Sequence, residues 1–93
     1  MIQSFRDKAT EQVWETGKHK KFDPRILKVA VRKLGHLHHA ARLEDLQVPP
    51  ANQLEALHGD RQGQHSIRIN KQWRICFEWT EAGPRNVEIT DYH

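Results

Sequence analysis

The chain has 93 residues, of which 37% are hydrophobic, and a single cysteine, Cys76. This length allows one domain with a thin core. A lone cysteine excludes an internal disulfide and is typical of a reducing compartment, and no apolar run approaches the roughly 20 residues that span a bilayer. The net charge of +3 is too small for strong nucleic-acid binding unless the cations cluster. We therefore expect one domain over residues 1–93 that is soluble and cytoplasmic, with no membrane association.

Two helices are predicted in the first half of the chain. Residues 1–5 alternate imperfectly between apolar and polar side chains, which suits a short edge strand. Asp7 is a suitable N-cap and Gly17 a suitable C-cap for a first helix. Asp23, followed by a proline at the first helical position, predicts a second helix that runs to about Ala41.

The second helix is predicted to be amphipathic. Its apolar face is formed by Ile26, Ala30, Leu34, Leu37 and Ala41. A cationic ridge on the opposite side is formed by Arg25, Lys28, Arg32, His36 and His39. The apolar face should pack on the rest of the domain, and the ridge should face outward. A solvated surface is the default interpretation of such a ridge, and contact with a polyanion is the functional alternative.

The second half of the chain changes to the period-two pattern of strands. Residues 42–53 are predicted to form a loop because they contain a proline pair. A strand begins after this loop, and a hairpin follows. A three-residue hairpin loop pairs Ile67 with Ile75 on an apolar face and places Arg68 opposite Arg74 on the other face.

The last strand, over residues 86–93, returns along the hairpin. Pairing its apolar positions with those of the preceding strand brings Tyr92 opposite Arg74. The same register sets Glu78 opposite Glu88, which is unfavourable. Two helices followed by a mostly antiparallel sheet predict an α+β domain.

The second half also carries an extended motif. The stretch LEALHGDRQGQHSIRINKQWRICFEW, together with the closing EITDYH, resembles HigB and RelE-family toxins, and especially the HigB branch, also called plasmid maintenance system killer proteins. The resemblance covers nearly the whole chain. It implies a RelE-like fold with two N-terminal helices packed on the sheet, and cleavage of messenger RNA in the ribosomal A site without a metal or other cofactor. It also implies inhibition by a helix-turn-helix antitoxin of the HigA type, through which the complex would bind operator DNA.

The resemblance also implies a set of site residues. Arg74 matches the family's phosphate-binding arginine, and Asp91, Tyr92 and His93 match its terminal catalytic cluster. The matching basic, RNA-binding surface comprises Arg61, His65 and Arg68. Glu55 stands where some relatives have a histidine, which leaves His93 as the C-terminal imidazole.

RNA cleavage without a metal needs a base for the 2′-OH, an acid for the leaving 5′-oxygen, and cations around the phosphate. We expect Arg74, helped by Arg68, to hold the phosphate through its guanidinium fork. Asp91 and His93 would share the proton transfers. Tyr92 would stack on a base or act as an acid.

Structural alternatives exist for each of these residues. The opposed arginines could splay into water or pair with Glu78, Asp91 or the terminal carboxylate instead of binding an anion. The last three residues could form a frayed tail. The cluster of His36, His38 and His39 is not predicted to bind a metal, because these residues lack an i, i+4 ligating pair on one helical face.

Two other functions remain open at the level of sequence. A ParE-like toxin would bind gyrase without nuclease activity, and it would inhibit supercoiling while leaving translated message intact. A co-repressor would act only within the antitoxin–operator complex. The small net charge argues against strong DNA binding by this chain alone.

Overall fold

The fold is two helices on one face of a four-stranded sheet, in a computed structural model that describes residues 1–91. The helices are α1 (Lys8–Thr16) and α2 (Pro24–His39), and the strands are β1 (Glu55–Ala56), β2 (His65–Arg68), β3 (Trp73–Thr80) and β4 (Gly83–Asp91). The strands lie in the order β1-β2-β3-β4, and all three pairs are antiparallel. The predicted α+β architecture is confirmed. No helix in the described part of the chain is long and apolar enough to cross a membrane.

Local chemistry sets both helix starts. The Asp7 carboxylate accepts a hydrogen bond from the Thr10 N–H at 3.2 Å, and the Asp23 carboxylate accepts one from the Arg25 N–H at 2.8 Å. These contacts satisfy donors that the first turn of a helix leaves unpaired. Gly17 ends α1 with φ 84, a conformation that favours glycine. The predicted caps are therefore confirmed.

The core lies between α2 and the inner face of the sheet. The first four residues of the predicted apolar face of α2 are buried, while Ala41 lies beyond the end of the helix and is exposed. Their partners in the core cluster include Ile67, Ile75, Phe77, Val87 and Ile89. Of the cationic ridge, His36 is half-buried and the other four residues are exposed. The burial of apolar surface drives this packing, because it stabilises the fold by about 25 cal/mol for each Å² that is buried.

Lys33 departs from the pattern of α2, because it is a charged residue with only 4% exposure. Its ammonium group donates a hydrogen bond to the Asn52 side-chain carbonyl. Asn52 is fully buried in the segment predicted as a loop, which contains two short 3₁₀ turns. The Asn52 amide group also donates to the Leu46 carbonyl at 3.1 Å. A buried polar group of this kind is tolerated because each partner satisfies the other.

The β2–β3 hairpin has the predicted register. Ile67 lies opposite Ile75, and Arg68 lies opposite Arg74. The Ile69 N–H donates to the Trp73 carbonyl at 2.9 Å, which closes the three-residue loop. Because successive side chains alternate between the faces of a strand, Ser66, Arg68, Arg74 and Cys76 share the face opposite the helices, called here the outer face.

The predicted register of β3 and β4 is wrong, by two residues from Trp73 to Cys76 and by three residues from Glu78 to Thr80. Thr90, and not Tyr92, lies opposite Arg74, and Cys76 lies opposite Glu88. An irregularity between Cys76 and Glu78 shifts the ladder, so that Glu78 lies opposite Arg85. The Arg85 side chain donates to Glu78 at 2.8 Å. The like-charge pair that the predicted register produced is thereby replaced by an ion pair.

The N-terminal segment runs beside β4 as a single parallel bridge and not as a full edge strand. Phe5 is bridged to Val87, and the Gln3 N–H donates to the Pro84 carbonyl at 2.8 Å. Gly83, with φ 127, passes close to the backbone of Met1, where a Cβ atom would clash with the Met1 carbonyl oxygen. A glycine is therefore required where the N-terminus crosses the start of β4.

Candidate functional site

The candidate site is centred on Arg74, on the outer face of the sheet. Arg74 is 9% exposed. Its Nε atom donates to the Ser66 hydroxyl at 2.7 Å, and its Nη2 atom donates to the Gln53 carbonyl at 2.6 Å. The Glu55 carboxylate lies 3.7 Å from Nε. Two strands and the segment before β1 thus fix the orientation of one guanidinium group.

This arrangement leaves part of the guanidinium available. An arginine side chain has five N–H donors, and within residues 1–91 the Nη1 atom of Arg74 has no hydrogen-bond partner. Glu55 is the partner that solvent can reach most easily, because its side chain is 54% exposed. An anion arriving at the outer face would therefore meet a fixed guanidinium whose carboxylate partner, Glu55, is exposed to solvent.

Arg68 lies directly across from Arg74 and is half-buried. The repulsion between the two arginines is relieved on the Arg74 side by Glu55, and not by Glu78 or Asp91, the side-chain carboxylates that the sequence suggested. Arg68 has no ion pair within the described residues. The outer face therefore carries a second cation close to the first.

Arg61 reaches the same face from the 3₁₀ turn before β2. Its Nη1 atom donates to Glu88 at 2.8 Å and to the Gln64 side chain at 3.0 Å. Glu88 also lies 3.8 Å from Arg6. This carboxylate therefore holds Arg61 against β4.

His65 does not share the outer face. It alternates with Ser66 and stacks on the core residue Phe77, with ring centroids 6.2 Å apart. Its Nδ1 atom is buried and has no hydrogen-bond partner within the described residues. Of the predicted RNA-binding residues, the fold brings Arg61 and Arg68 to the face of Arg74 and turns His65 toward the helices.

Asp91 lies at the end of β4, opposite Trp73. It alternates with Thr90, so its side chain leaves the strand on the side of the helices. Its carboxylate accepts a hydrogen bond from the Gln72 amide at 3.0 Å. Tyr92 and His93, the other members of the predicted catalytic cluster, lie outside the described residues.

The sequence interpretation missed Glu55, Ser66 and Gln53 as partners of Arg74. Ser66 was recognisable, because it lies two residues before Arg68 and therefore on the same face of a strand whose register was predicted. The Gln53 carbonyl was not recognisable, since its position depends on the 3₁₀ turn before β1 and on a left-handed φ of 45 at Gln53.

Cys76 also lies on the outer face, and burial raises the pKa of its thiol above the usual range. A thiol with a raised pKa is a poor nucleophile. Within residues 1–91, no group of three or more His, Cys, Asp or Glu side chains is arranged to hold a metal ion. Among the described residues, the chemistry of this face is therefore that of guanidinium groups and carboxylates.

The fold is shared with a solved structure. A chain of the YoeB–YefM complex from Staphylococcus aureus superposes with a TM-score of 0.62, covering 100% of this chain and 95% of that one, at 17% sequence identity. At this identity the likeness shows a shared fold and nothing further.

Sequence comparison identifies the family. The model of a family described as the RelE-like toxin of the type II toxin–antitoxin system HigB matches residues 3–93. Toxin HigB-1 of Vibrio cholerae is 40% identical over 90 residues, which cover 96% of this chain and 95% of the relative. An uncharacterized protein of Haemophilus influenzae is 35% identical over 86 residues, or 91% of this chain and 85% of that protein. The chain therefore belongs to the HigB-like toxin family of type II toxin–antitoxin systems, as the sequence motif predicted.

Proposed function

We propose that this toxin is a ribosome-dependent endoribonuclease that cleaves messenger RNA in the A site and thereby inhibits translation in the cytoplasm. The observation that supports this proposal best is the anchored guanidinium of Arg74, whose Nη1 atom has no hydrogen-bond partner among residues 1–91 and which has a neighbouring cation, Arg68, on the same face. Donors held in place before the reaction stabilise developing charge without the cost of reorganisation.

In the proposed reaction, Arg74 and Arg68 bind the scissile phosphate while the 2′-OH attacks it. His93 carries the proton transfers, and Tyr92 stacks on a base or assists as an acid; Asp91, whose side chain leaves β4 on the side opposite Arg74, is assigned no direct proton transfer. Arg61 belongs to the proposed RNA-binding surface, whereas His65, also predicted there, faces the helices from the start of β2 and is assigned no RNA contact. The reaction needs no metal, because the attacking oxygen belongs to the RNA itself and the guanidinium groups balance the phosphate charge.

The proposed partners follow from the family. A HigA-type antitoxin with a helix-turn-helix domain would hold the toxin inactive, and the complex would bind operator DNA through the antitoxin. The ribosome would position the message, because orientation supplies much of the rate in such reactions.

The test is a reconstituted translation reaction with and without ribosomes, using the wild type and the Arg74→Lys variant. Lysine keeps the charge but loses the planar fork, so we expect ribosome-dependent cleavage to fall roughly a hundredfold. The exposed residue Arg85 provides a matched control, and Arg85→Lys should cleave like the wild type. Thermal melting checks that both variants fold.

The ends of the products test the chemistry. Attack by the 2′-OH leaves a 2′,3′-cyclic phosphate and a free 5′-hydroxyl. Direct attack by metal-bound water on the phosphate forms no cyclic phosphate. Intact message with the wild-type protein would contradict the proposal. Inhibition of gyrase supercoiling in that case would favour the ParE-like function instead.

A further inference from the structure

A cleft of about 650 Å³ lies between the end of α1 and the start of α2, away from Arg74 and the outer face. Its floor is formed by Phe22, Pro24 and Leu27. Its rim carries Lys18, His19 and Lys20. The lining is mostly apolar, so the cleft combines an apolar floor with a cationic rim.

We propose that this cleft binds an acidic segment of a partner protein, which inserts one apolar side chain between flanking carboxylates. The apolar floor suits the inserted side chain, and the rim suits the acidic neighbours. None of the lining residues in the described chain is acidic. Two acids of the neighbouring segments are already paired: Asp7 lies 3.5 Å from Lys21, and Asp23 lies 2.7 Å from Arg25. The positive rim is thus left without a counter-charge from these two acids.

The combination of apolar and cationic residues continues from the cleft along α2. Leu27 and Val31 are one helical turn apart and both are half-buried. Lys28 and Arg32, each the next residue along, are exposed. A segment anchored in the cleft could therefore extend along α2 with its apolar side on Leu27 and Val31 and its acidic side on the two cations. This is the pattern of an amphipathic segment laid in a groove.

The cleft suits a peptide better than single-stranded RNA. Base recognition of that kind uses exposed aromatic faces, and Phe22, the aromatic side chain of the floor, is only 2% exposed. Its ring makes an edge contact with Trp73, with centroids 5.7 Å apart. The remaining floor is aliphatic. The cations alone would attract RNA, but the floor would add nothing to its binding.

The test uses the purified full-length protein and a phage-displayed library of random peptides. Enriched peptides are synthesised and their affinity is measured by fluorescence anisotropy. The cleft variants are Leu27→Ala and the double variant Lys18→Glu/Lys20→Glu. A matched control, Lys8→Glu/Lys71→Glu, makes the same charge change at two exposed positions outside the cleft. Melting curves confirm folding, and the rim variants alter only exposed side chains.

We expect enriched peptides that combine acidic residues with an apolar anchor. Each cleft variant should weaken their binding by roughly tenfold or more, which corresponds to about 1.4 kcal/mol, and the control should not. Enrichment of no such peptides, or equal binding to all variants, would overturn the proposal. It would also be overturned by a short single-stranded RNA that competes for the site, is sensitive to the rim variant and is insensitive to Leu27→Ala. Because no cleft residue contacts Arg74, ribonuclease activity can fail or survive independently of this result.

Discussion

At the scale of single residues, the main feature of the site is a competition for Arg74. Glu55 is its carboxylate partner within the described residues, at 3.7 Å and with an exposed side chain. At 3.7 Å, with the Glu55 side chain 54% exposed, this contact is not a tight buried ion pair. In the proposed function, an RNA phosphate would displace Glu55 and bind through the Nη1 atom of Arg74.

Replacing Glu55 by Gln should tighten RNA binding. The change removes an anion that competes with the phosphate for Arg74 and keeps the size of the side chain, so affinity for a short RNA should rise up to about fivefold. Glu44→Gln, at an exposed acid elsewhere, is the control. Unchanged affinity would contradict the role of Glu55 as a competitor for Arg74. If cleavage were lost at the same time, Glu55 would instead act as a proton acceptor.

A second residue-scale feature is His38, which joins the N-terminal segment to α2. Its Nδ1 atom accepts a hydrogen bond from the Ile2 N–H at 3.3 Å, so this nitrogen must be unprotonated. Burial, followed by the charges of His39 and the N-terminus, lowers the pKa of His38 below its usual value. Burial likewise lowers the pKa of His36 on the same helix.

Acid should therefore weaken the fold through these histidines. Because the folded pKa of His38 lies below the unfolded value of about 6.5, the unfolded chain takes up the proton first as the pH falls through this range. The free energy of unfolding then decreases toward acid pH. Urea unfolding at about pH 7.5 and about pH 5.5 should show a smaller loss for His38→Gln than for the wild type. An equal loss would exclude His38 as a contributor, and His58→Gln, at an exposed position, is the control.

At the scale of elements, the sequence predicted what short-range chemistry decides. Asp7 and Asp23 begin the helices because a carboxylate at the N-cap satisfies free N–H groups, and the β2–β3 register follows from matching Ile67 with Ile75. The β3–β4 register was not predictable in this way. It depends on the two-residue turn that pairs Thr80 with Gly83 and on the irregularity between Cys76 and Glu78, where the ladder shifts by one further residue without a local signal in the sequence.

The candidate site shows the same division. Arg74 was recognisable from its motif and from its position on the outer face. Its partner Glu55 was not, because the contact depends on how β1 pairs with β2, which brings Glu55 opposite Ser66. The partners of a buried side chain are decided by tertiary register, which a two-residue strand such as β1 encodes weakly.

The crossing of the N-terminal segment over β4 gives a prediction at this scale. Replacing Gly83 by Ala would place a Cβ atom against the Met1 backbone and impose a strained φ of 127. The free energy of unfolding should fall by about 1 to 3 kcal/mol, as measured by urea denaturation. Gly35→Ala is the matched control: it lies in α2 with open space around it, and it should raise stability by about 0.5 to 1 kcal/mol. If Gly83→Ala and Gly35→Ala changed the free energy of unfolding equally, the close contact between Gly83 and the Met1 backbone would be contradicted.

At the scale of the whole molecule, a chain of buried polar contacts connects the helix layer to the candidate site. Lys33 on α2 donates to Asn52, and burial lowers the pKa of this lysine. The carbonyl of the next residue, Gln53, accepts a hydrogen bond from the Nη2 atom of Arg74 at 2.6 Å. We therefore predict that the position of the guanidinium on the outer face depends partly on a lysine that lies on the other side of the sheet.

Replacing Lys33 by Met tests this connection. The change leaves the Asn52 carbonyl without its ammonium donor, so the free energy of unfolding should fall by about 1 to 3 kcal/mol. If the proposed ribonuclease function holds, cleavage should fall as well, because Gln53 no longer holds Arg74 in place. Lys28→Met makes the same change at an exposed position of α2 and should alter neither quantity.

The double variant Lys33→Met/Asn52→Leu separates stability from positioning. It removes the unpaired Asn52 carbonyl and should recover part of the lost stability, although the Leu46 carbonyl stays without its donor. The turn that presents the Gln53 carbonyl still loses the Asn52 hydrogen bonds to Leu46 and Val48. Cleavage should therefore remain low while the melting temperature recovers in part. Recovery of both together would mean that Lys33 supports only the stability of the fold and does not position Arg74.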